Sequence, residues 1–280
     1  MDKVHFCCKI SYMEKLFCFD IDNTLLPSGQ NSFPLAEKLI LDKLAKKGFG
    51  LAIASGRNYD GIIQYLSKEQ ISSMYVIAGN GAAIYSGGGD LLEQHLLTLS
   101  DLYYFQKKYR DQKDWNIYAL GRDNAIVLFR EDNHTDFEIS ASKIKHVWFL
   151  DPEKFPLETN MPLLKVIIGS DKPLESSFLL TDNENDYHGV LSSPYTFEIM
   201  ARGIDKTSGV EFLRKTLHVD KSEVYCFGDG GNDVGMLRDF VGVAMGKSTE
   251  ECQRVAKFVT RRCEEDGVAF AINHLLKIFG

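Results

Sequence analysis

The sequence predicts an α/β protein in which a parallel-sheet core is split by an inserted α+β unit. Short apolar segments alternate with amphipathic helical patterns at both ends of the chain, and the middle is rich in strand-like segments with few helical ones. Such alternation is typical of a parallel sheet with helices on its faces. A chain of 280 residues is long enough to bury one large core or two smaller ones.

The first core segment covers residues 13–83 and is predicted to contain three strands separated by two helices. Short apolar runs predict the strands, whereas apolar residues three or four positions apart predict the helices. Gly48 ends the first helical pattern, as glycine commonly does at helix C-termini. In chain order, the predicted elements are strand Leu16–Phe19, helix Pro34–Lys47, strand Phe49–Ala54, helix Tyr59–Lys68 and strand Tyr75–Ala78.

Residues 84–200 are predicted to form the inserted unit, which a hairpin introduces. Gly87-Gly88-Gly89 separates two apolar segments, as in a hairpin turn, whereas Val147–Leu150 is too short to assign by periodicity. The predicted elements of this region are strands Ala82–Tyr85 and Leu91–His95 of the hairpin, helix Leu102–Tyr109, and strands Trp115–Leu120, Ala125–Phe129, Leu163–Ile168 and Pro194–Ala201.

The α/β alternation resumes in residues 201–280, which are predicted to complete the core together with residues 13–83. The same periodicities assign the elements here. They are helix Thr207–Leu217, strand Val224–Phe227, helix Asp233–Phe240, strand Val241–Met245 and helix Val268–Ile278.

Composition and charge narrow the classes of function. The formal net charge of −7 argues against broad nucleic-acid binding, which needs a basic surface. No apolar run reaches the ~20 residues that a membrane helix needs, and residues 1–12 lack a secretory apolar core. The six cysteines have no zinc-like spacing, which predicts reduced thiols. We therefore expect a cytoplasmic monomer or homodimer without nucleic-acid or membrane partners, with residues 1–12 as an N-terminal extension.

Four short polar segments carry the chemistry. Each follows a predicted core strand or begins a core helix, and ligands of parallel α/β sheets bind beyond the carboxyl ends of the strands. Two carboxylates two positions apart in the first segment would repel each other unless a cation or a shared proton lay between them. The segments are Asp20-Ile21-Asp22-Asn23-Thr24, Ala54-Ser55-Gly56-Arg57, Lys206, and Gly228-Asp229-Gly230-Gly231-Asn232-Asp233. This pattern predicts a divalent-cation site beside a carboxylate that is free to attack an electrophile.

With these motifs in this order, the chain resembles the haloacid dehalogenase superfamily, specifically its Cof-like phosphatases with a large α/β cap of type IIB. The likeness begins at Met13 and includes Asn80-Gly81-Ala82 before the insert and Asp266-Gly267-Val268 near the C-terminus. It implies a Rossmann-like core and a cap, residues 84–200, that selects the substrate. It also implies a Mg²⁺-dependent phosphatase of small phosphorylated metabolites, with sugar phosphates ahead of phosphorylated cofactors.

The resemblance further implies a role for each motif residue. Asp20 would be the nucleophile that forms an aspartyl-phosphate, Asp22 the general acid and base, and Lys206 the cation that neutralises the transferring phosphoryl group. The implied Mg²⁺ ligands are Asp20, the backbone carbonyl of Asp22, and Asp229, while Asp233 would act from behind these ligands or through a water molecule. The implied phosphate- or substrate-binding residues are Thr24, Ser55, Gly56, Arg57 and Asn232.

Several alternatives stay open at this point. Ser55 is also suited to capping the following helix, and Arg57 fits a structural salt bridge as well as a substrate contact. A sugar phosphomutase would use similar aspartates and return the phosphoryl group to the sugar, and a silent phosphometabolite-binding protein would keep the fold without turnover. Asn23 stands where many family members have glycine, and asparagine tolerates unusual turn backbones, so we expect activity to be retained.

Overall fold

A computed structural model describes residues 13–154, 161–175 and 186–279. The expected N-terminal extension, residues 1–12, lies outside these ranges. The strands are β1 (Leu16–Phe19), β2 (Gly50–Ala54), β3 (Met74–Ala78), β4 (Ala83–Tyr85), β5 (Leu91–Gln94), β6 (Trp115–Gly121), β7 (Ala125–Leu128), β8 (His146–Phe149), β9 (Leu163–Ser170), β10 (Tyr187–Ser193), β11 (Thr196–Ala201), β12 (Val224–Gly228), β13 (Val241–Ala244) and β14 (Phe258–Val259). The helices are α1 (Leu35–Lys46), α2 (Tyr59–Ile63), α3 (Lys68–Ser73), α4 (Leu99–Lys108), α5 (Asn133–Ala141), α6 (Lys206–Thr216), α7 (Val234–Asp239), α8 (Glu250–Val255) and α9 (Gly267–Phe270). No helix of the described residues is both long enough and apolar enough to cross a membrane.

The strands form two sheets, which confirms the predicted α/β class. The larger sheet has the order β14-β13-β12-β1-β2-β3-β4-β5, and it is parallel from β14 to β3 before the antiparallel hairpin β4–β5. The smaller sheet has the order β10-β11-β9-β6-β7-β8 and is antiparallel except between β7 and β8. The larger sheet therefore places the carboxyl ends of β1, β2 and β12 along one edge.

Strand β1 lies at the centre of the larger sheet and is apolar throughout because both of its faces are covered. Phe17 and Phe19 pack into the hydrophobic cluster on one face, and Leu16 and Cys18 into the cluster on the other. All four side chains are completely buried. This packing fixes the strand from which the first acidic motif emerges.

Two helix predictions differ from the structure. The helix predicted over Tyr59–Lys68 is wrong, because α2 ends at Ile63 and α3 begins at Lys68. Ser67 and Gln70 form a reciprocal capping box that starts α3, and such a box marks a new helix. In the predicted C-terminal helix, α9 gives way to a π-helical turn over Ala271–Leu275.

The inserted region contains three elements that the sequence patterns did not assign, namely α5, β10 and, over the short run at Val147–Leu150, β8. Helix α5 is rich in polar residues and has no clear apolar stripe, so periodicity gave no signal for it. The hairpin β4–β5 pairs with β3 in the larger sheet, because β4 turns back directly beside β3. The expected domain boundary at residue 84 thus falls inside this hairpin, and the division into a core of residues 13–83 and 201–280 with a cap of residues 84–200 stays a prediction.

Candidate active site

The first acidic motif begins where β1 ends. The backbone N–H of Asp20 donates to the carbonyl of Phe227 at 3.0 Å, so Asp20 extends β1 alongside the end of β12. The side chain of Asp20 is buried, with the residue 6% exposed. Asp229 follows the end of β12, and the parallel register therefore brings the two motifs together, as the sequence predicted.

Lys206 lies behind Asp20 at the first turn of α6, which Asp205 caps through the backbone N–H of Ser208. Its Nζ donates to Asp20 Oδ1 and to Asp233 Oδ1, each at 2.7 Å. Burial disfavours the charged amine, but the two carboxylates outweigh burial and raise the pKa of Lys206 above its usual value. The lysine is therefore a fixed positive charge beside Asp20.

Three carboxylates meet at this point. Asp20, Asp229 and Asp233 each offer one oxygen within 4.8 Å of the others, and the backbone N–H groups of Asp229 and Gly230 hold Asp233 Oδ2 at 2.9 and 3.0 Å. Burial, followed by repulsion between the carboxylates, raises the pKa of Asp229 to about 8. Burial likewise raises the pKa of Asp20 to about 7, against the attraction of Lys206. One ammonium does not balance three carboxylates, and an all-oxygen donor set of this kind fits a hard divalent cation.

The loop after Asp20 turns sharply back on itself. Asn23 has a φ of +59°, a left-handed conformation that asparagine adopts more readily than most residues, in keeping with the tolerance expected at this position. Thr24 is completely buried, and its Oγ1 has no hydrogen-bond partner among the described residues. The motif thus directs Asp22 and Asn23 outward while Thr24 packs beneath them.

The second motif follows β2 at the same edge. Ser55 Oγ accepts from the backbone N–H of Arg57 at 3.3 Å, whereas the cap of α2 is Asn58, whose side chain accepts from the N–H of Gly61 at 2.8 Å. Ser55 therefore does not cap the helix. A Cβ at Gly56 would lie 3.1 Å from Lys165 Nζ, so a glycine here permits a close approach of the two sheets.

A cavity of about 450 Å³ opens over these motifs. Most of the predicted site residues line it, whereas Lys206 and Asp233 lie behind Asp20 and Thr24 lies below it. The predicted residues in the cavity wall are Asp20, Asp22, Ser55, Gly56, Arg57, Asp229 and Asn232. Their roles stay predictions, but the structure brings them to one place.

The opposite wall carries charged residues that sequence reasoning missed. Lys165 of β9 and Glu198 of β11 are buried and joined at 2.5 Å, and Glu138 of α5 lies 3.8 Å from the same ammonium. Burial opposes both charges, yet the pKa of Lys165 is raised by the two glutamates and the pKa of Glu198 is lowered by Lys165. The available signal was a single charged residue within an otherwise apolar strand segment, in both β9 and β11.

Hydrogen bonds connect this wall to the fourth motif. Asn232 Nδ2 donates to Asn80 Oδ1 at 3.1 Å, and Asn80 Nδ2 donates to Glu198 Oε2 at 2.5 Å. Asn80 is completely buried and has a φ of +55°. Asn232 therefore contacts the smaller sheet through Asn80, in addition to lining the cavity.

The chain belongs to the haloacid dehalogenase-like hydrolase family, whose model matches residues 17–272. Among curated relatives, YxeH of Bacillus subtilis (strain 168) is 28% identical over 286 residues, which cover 94% of this chain and 99% of that protein. The 5-amino-6-(5-phospho-D-ribitylamino)uracil phosphatase YcsE of the same organism is 27% identical over 261 residues, covering 93% and 95%. Phosphatase YwpJ, also from Bacillus subtilis, is 25% identical over 290 residues, covering 94% and 100%. The family and these relatives identify the chain as a Cof-like phosphatase.

Solved structures share the fold over nearly the whole chain. A haloacid dehalogenase-like hydrolase from Bacillus subtilis has a TM-score of 0.81 at 22% identity, covering 93% of this chain and 99% of that one. The subclass IIB sugar phosphatase BT4131 has a TM-score of 0.76 at 22% identity, covering 93% and 98%. These likenesses confirm the predicted Rossmann-like core with an additional cap.

Proposed function

We propose that this phosphatase hydrolyses small phosphorylated metabolites with Mg²⁺, through an aspartyl-phosphate on Asp20. The observation that carries the proposal is the buried contact of Asp20 with Lys206 beside Asp229 and Asp233, at the wall of a cavity. A carboxylate held against a fixed cation is suited to attack a phosphorus atom whose own negative charge would otherwise repel it.

In the proposed reaction, Asp20 attacks the phosphoryl group and the P–O bond to the leaving alcohol breaks. Asp22 donates a proton to that alcohol and afterwards takes a proton from the water that hydrolyses the acyl-phosphate. Lys206 offsets charge on Asp20 and on the transferring group. Ser55, Gly56 and Asn232 hold the phosphoryl oxygens.

The residues suited to hold Mg²⁺ are Asp20 and Asp229, together with the backbone carbonyl of Asp22. Asp233 would act from behind these ligands, through its contacts with Lys206 and with the backbone N–H of Asp229. The ion, when bound, neutralises charge and orients phosphoryl oxygens for in-line displacement. The unbalanced charge of the carboxylate cluster supports this assignment, and the oxygen donor set favours Mg²⁺ over softer metals.

Sugar phosphates are the substrate class we favour. The wall opposite Asp20 presents paired charges from Lys165, Glu138 and Glu198, which suit hydroxyl groups that both donate and accept hydrogen bonds. The relative YcsE is named for a phosphoribityl substrate, and BT4131 is described as a sugar phosphatase. Both are consistent with a polyhydroxylated leaving group.

The test is release of inorganic phosphate from a panel of sugar, nucleotide and cofactor monoesters, with Mg²⁺ and after chelation by EDTA. Wild-type protein should release phosphate only with the metal, and Asp20→Asn should release none. Trapping a phosphorylated protein by acid quench, with mass assigned to the peptide that contains Asp20, tests the intermediate directly. Accumulation of an isomerised sugar phosphate instead of free phosphate would overturn the hydrolase mechanism in favour of a mutase.

A further inference from the structure

Arg57 forms a bidentate salt bridge with Asp22 through two nitrogens of its guanidinium group. Its Nε donates to Asp22 Oδ2 at 3.0 Å and its Nη2 to Asp22 Oδ1 at 2.6 Å. A bidentate pair of this kind fixes the orientation of the carboxylate as well as its position. The Arg57 side chain is only 8% exposed, whereas that of Asp22 is 48% exposed, so the arginine is the anchored partner.

The remaining contacts of the guanidinium tie it to two different parts of the chain. Nη1 donates to the hydroxyl of Tyr65 at 2.9 Å and to the backbone carbonyl of Ala141 at 2.6 Å. A guanidinium has five N–H groups, and these contacts with Tyr65, Ala141 and Asp22 use four of them. Little donor capacity is left for a phosphate group.

Ala141 is the last residue of α5, the helix that lies between β7 and β8 of the smaller sheet. The last carbonyls of a helix lack partners within the helix and carry partial negative charge, so a buried cation is a favourable partner there. Gln64 Nε2 donates to the same carbonyl at 3.1 Å. At Gly61 of α2, a Cβ would lie 2.7 Å from the Cα of Ser142, so the two helices touch through backbone.

From these contacts we propose that Arg57 is a positioning residue. It orients the carboxylate of Asp22 towards the leaving group, and this orientation depends on the contact between α5 and the core. The inference rests on the proposed role of Asp22 as general acid. It departs from the phosphate-binding role that family resemblance implies for Arg57. When α5 contacts the core, Ala141 and Tyr65 fix the guanidinium, and the guanidinium fixes the carboxylate. When α5 moves away, the guanidinium loses its acceptor at Ala141 and keeps only Tyr65 opposite Asp22, so the orientation of the carboxylate is held less firmly.

Phosphate binding and positioning of the general acid predict different effects of Arg57 on the rate when the leaving group of the substrate is changed. A phosphate ligand assists every monoester equally, because every monoester carries the same phosphoryl group. A residue that positions the general acid assists an alkyl phosphate strongly, because an alkoxide leaves poorly without a proton. It assists p-nitrophenyl phosphate little, because p-nitrophenolate is a stable anion that leaves unprotonated.

The experiment measures kcat/KM of Arg57→Gln with p-nitrophenyl phosphate and with the best alkyl phosphate of the substrate panel. This ratio reports only the steps up to phosphoryl transfer, so the later use of Asp22 as a base does not enter. We expect kcat/KM to fall roughly 100-fold for the alkyl phosphate, within the range that general acid catalysis contributes. For p-nitrophenyl phosphate we expect a fall of less than about fivefold on the same basis.

Further variants separate geometry from charge and from folding. Arg57→Lys keeps the charge but not the planar fork, and we expect it to resemble Arg57→Gln with the alkyl phosphate. Combined with Asp22→Asn, Arg57→Gln should add almost no further loss, because both changes remove the same assistance. Arg214→Gln is the matched control, since Arg214 makes a similar bidentate pair with Glu211 on α6, away from the cavity.

Equal losses with both substrates would overturn the proposal and assign Arg57 to phosphate binding, and full activity of Arg57→Lys would also overturn it. A wild-type protein that turns over neither substrate would instead refute the phosphatase mechanism on which the proposal depends.

Discussion

Replacing Asp20 by asparagine should stabilise the metal-free protein while abolishing turnover. Asp20 is buried and shares the ammonium of Lys206 with Asp233. Burial raises its pKa from an ordinary value of 3.8 to about 7, because the ionised carboxylate loses water and faces other carboxylates. Asparagine has nearly the same shape, and its oxygen can still accept from Lys206. The substitution therefore removes the charge and keeps the hydrogen bond.

The magnitude follows from the protons bound in the folded and unfolded states. Below pH 3.8 the carboxyl of Asp20 is protonated in both states, so it imposes no electrostatic penalty. As the pH rises to about 7, the unfolded chain releases this proton and the folded protein keeps it. The free energy of unfolding then falls by about 1.4 kcal/mol per pH unit. The accumulated penalty is on the order of 4 kcal/mol and is constant at higher pH, whereas asparagine incurs none.

The assay is urea denaturation of both proteins in EDTA at pH 5 and pH 8, followed by far-ultraviolet circular dichroism. The advantage of Asp20→Asn should be larger at pH 8 than at pH 5, by on the order of 2–3 kcal/mol. Asp111→Asn, which changes an exposed aspartate, is the control and should show no such dependence. An advantage that is absent at pH 8, or equal at both pH values, would refute the electrostatic reasoning.

Other substitutions test the metal site, the core and the contact between the sheets. Mg²⁺ at 100 times its dissociation constant should stabilise the wild-type protein by about 3 kcal/mol. In thermal denaturation, Asp229→Asn should lose this stabilisation. A rise in melting temperature with Mg²⁺ that is as large in the variant as in the wild type would contradict the metal assignment. Glu37 accepts from two buried N–H groups at the start of α9, so Glu37→Ala should lower the free energy of unfolding by roughly 2–5 kcal/mol, while the kcat of the folded protein stays unchanged. The unfolding is measured at pH 4.5 or below, because burial raises the pKa of Glu37 from 4.5 to about 8 and its ionisation therefore lowers stability at higher pH. A Cβ at Gly231 would lie 2.2 Å from the carbonyl oxygen of Leu191 in β10, so Gly231→Ala should force the sheets apart and lower kcat/KM about tenfold or more through ~1–3 kcal/mol of overpacking. If kcat/KM of Gly231→Ala equals that of the wild type, the close contact between Gly231 and Leu191 is not needed for turnover.

The meeting of Asp20 and Asp229 could be predicted from sequence because it follows from local patterns. Each residue ends an apolar run, and neighbouring parallel strands bring such ends to one edge of a sheet. The sequence does not show that β12 is the neighbour of β1, but the convergence of the motifs holds for any order that keeps these strands adjacent. The predictions of β1, β3 and β12 succeeded for the same reason, since four or five consecutive apolar residues need cover on both faces.

The contact of Arg57 with Ala141 could not be predicted in this way. It joins two residues 84 positions apart through a backbone carbonyl, and every residue has a carbonyl, so the residue type carries no signal. It also depends on α5, which periodicity missed because its polar residues form no apolar stripe. Lys165 and Glu198 were missed for a related reason, because an isolated charge in a strand usually faces solvent.

The charges around the cavity provide a further argument for a cation in the working enzyme. Six carboxylates described above meet three basic side chains, and a phosphomonoester adds two more negative charges. The carboxylates are Asp20, Asp22, Asp229, Asp233, Glu138 and Glu198, and the basic residues are Arg57, Lys165 and Lys206. Each basic residue already contacts a carboxylate, so none is an uncommitted partner for the substrate. A divalent cation at the carboxylate cluster would offset this excess at the point where the proposed mechanism brings the phosphoryl group to Asp20.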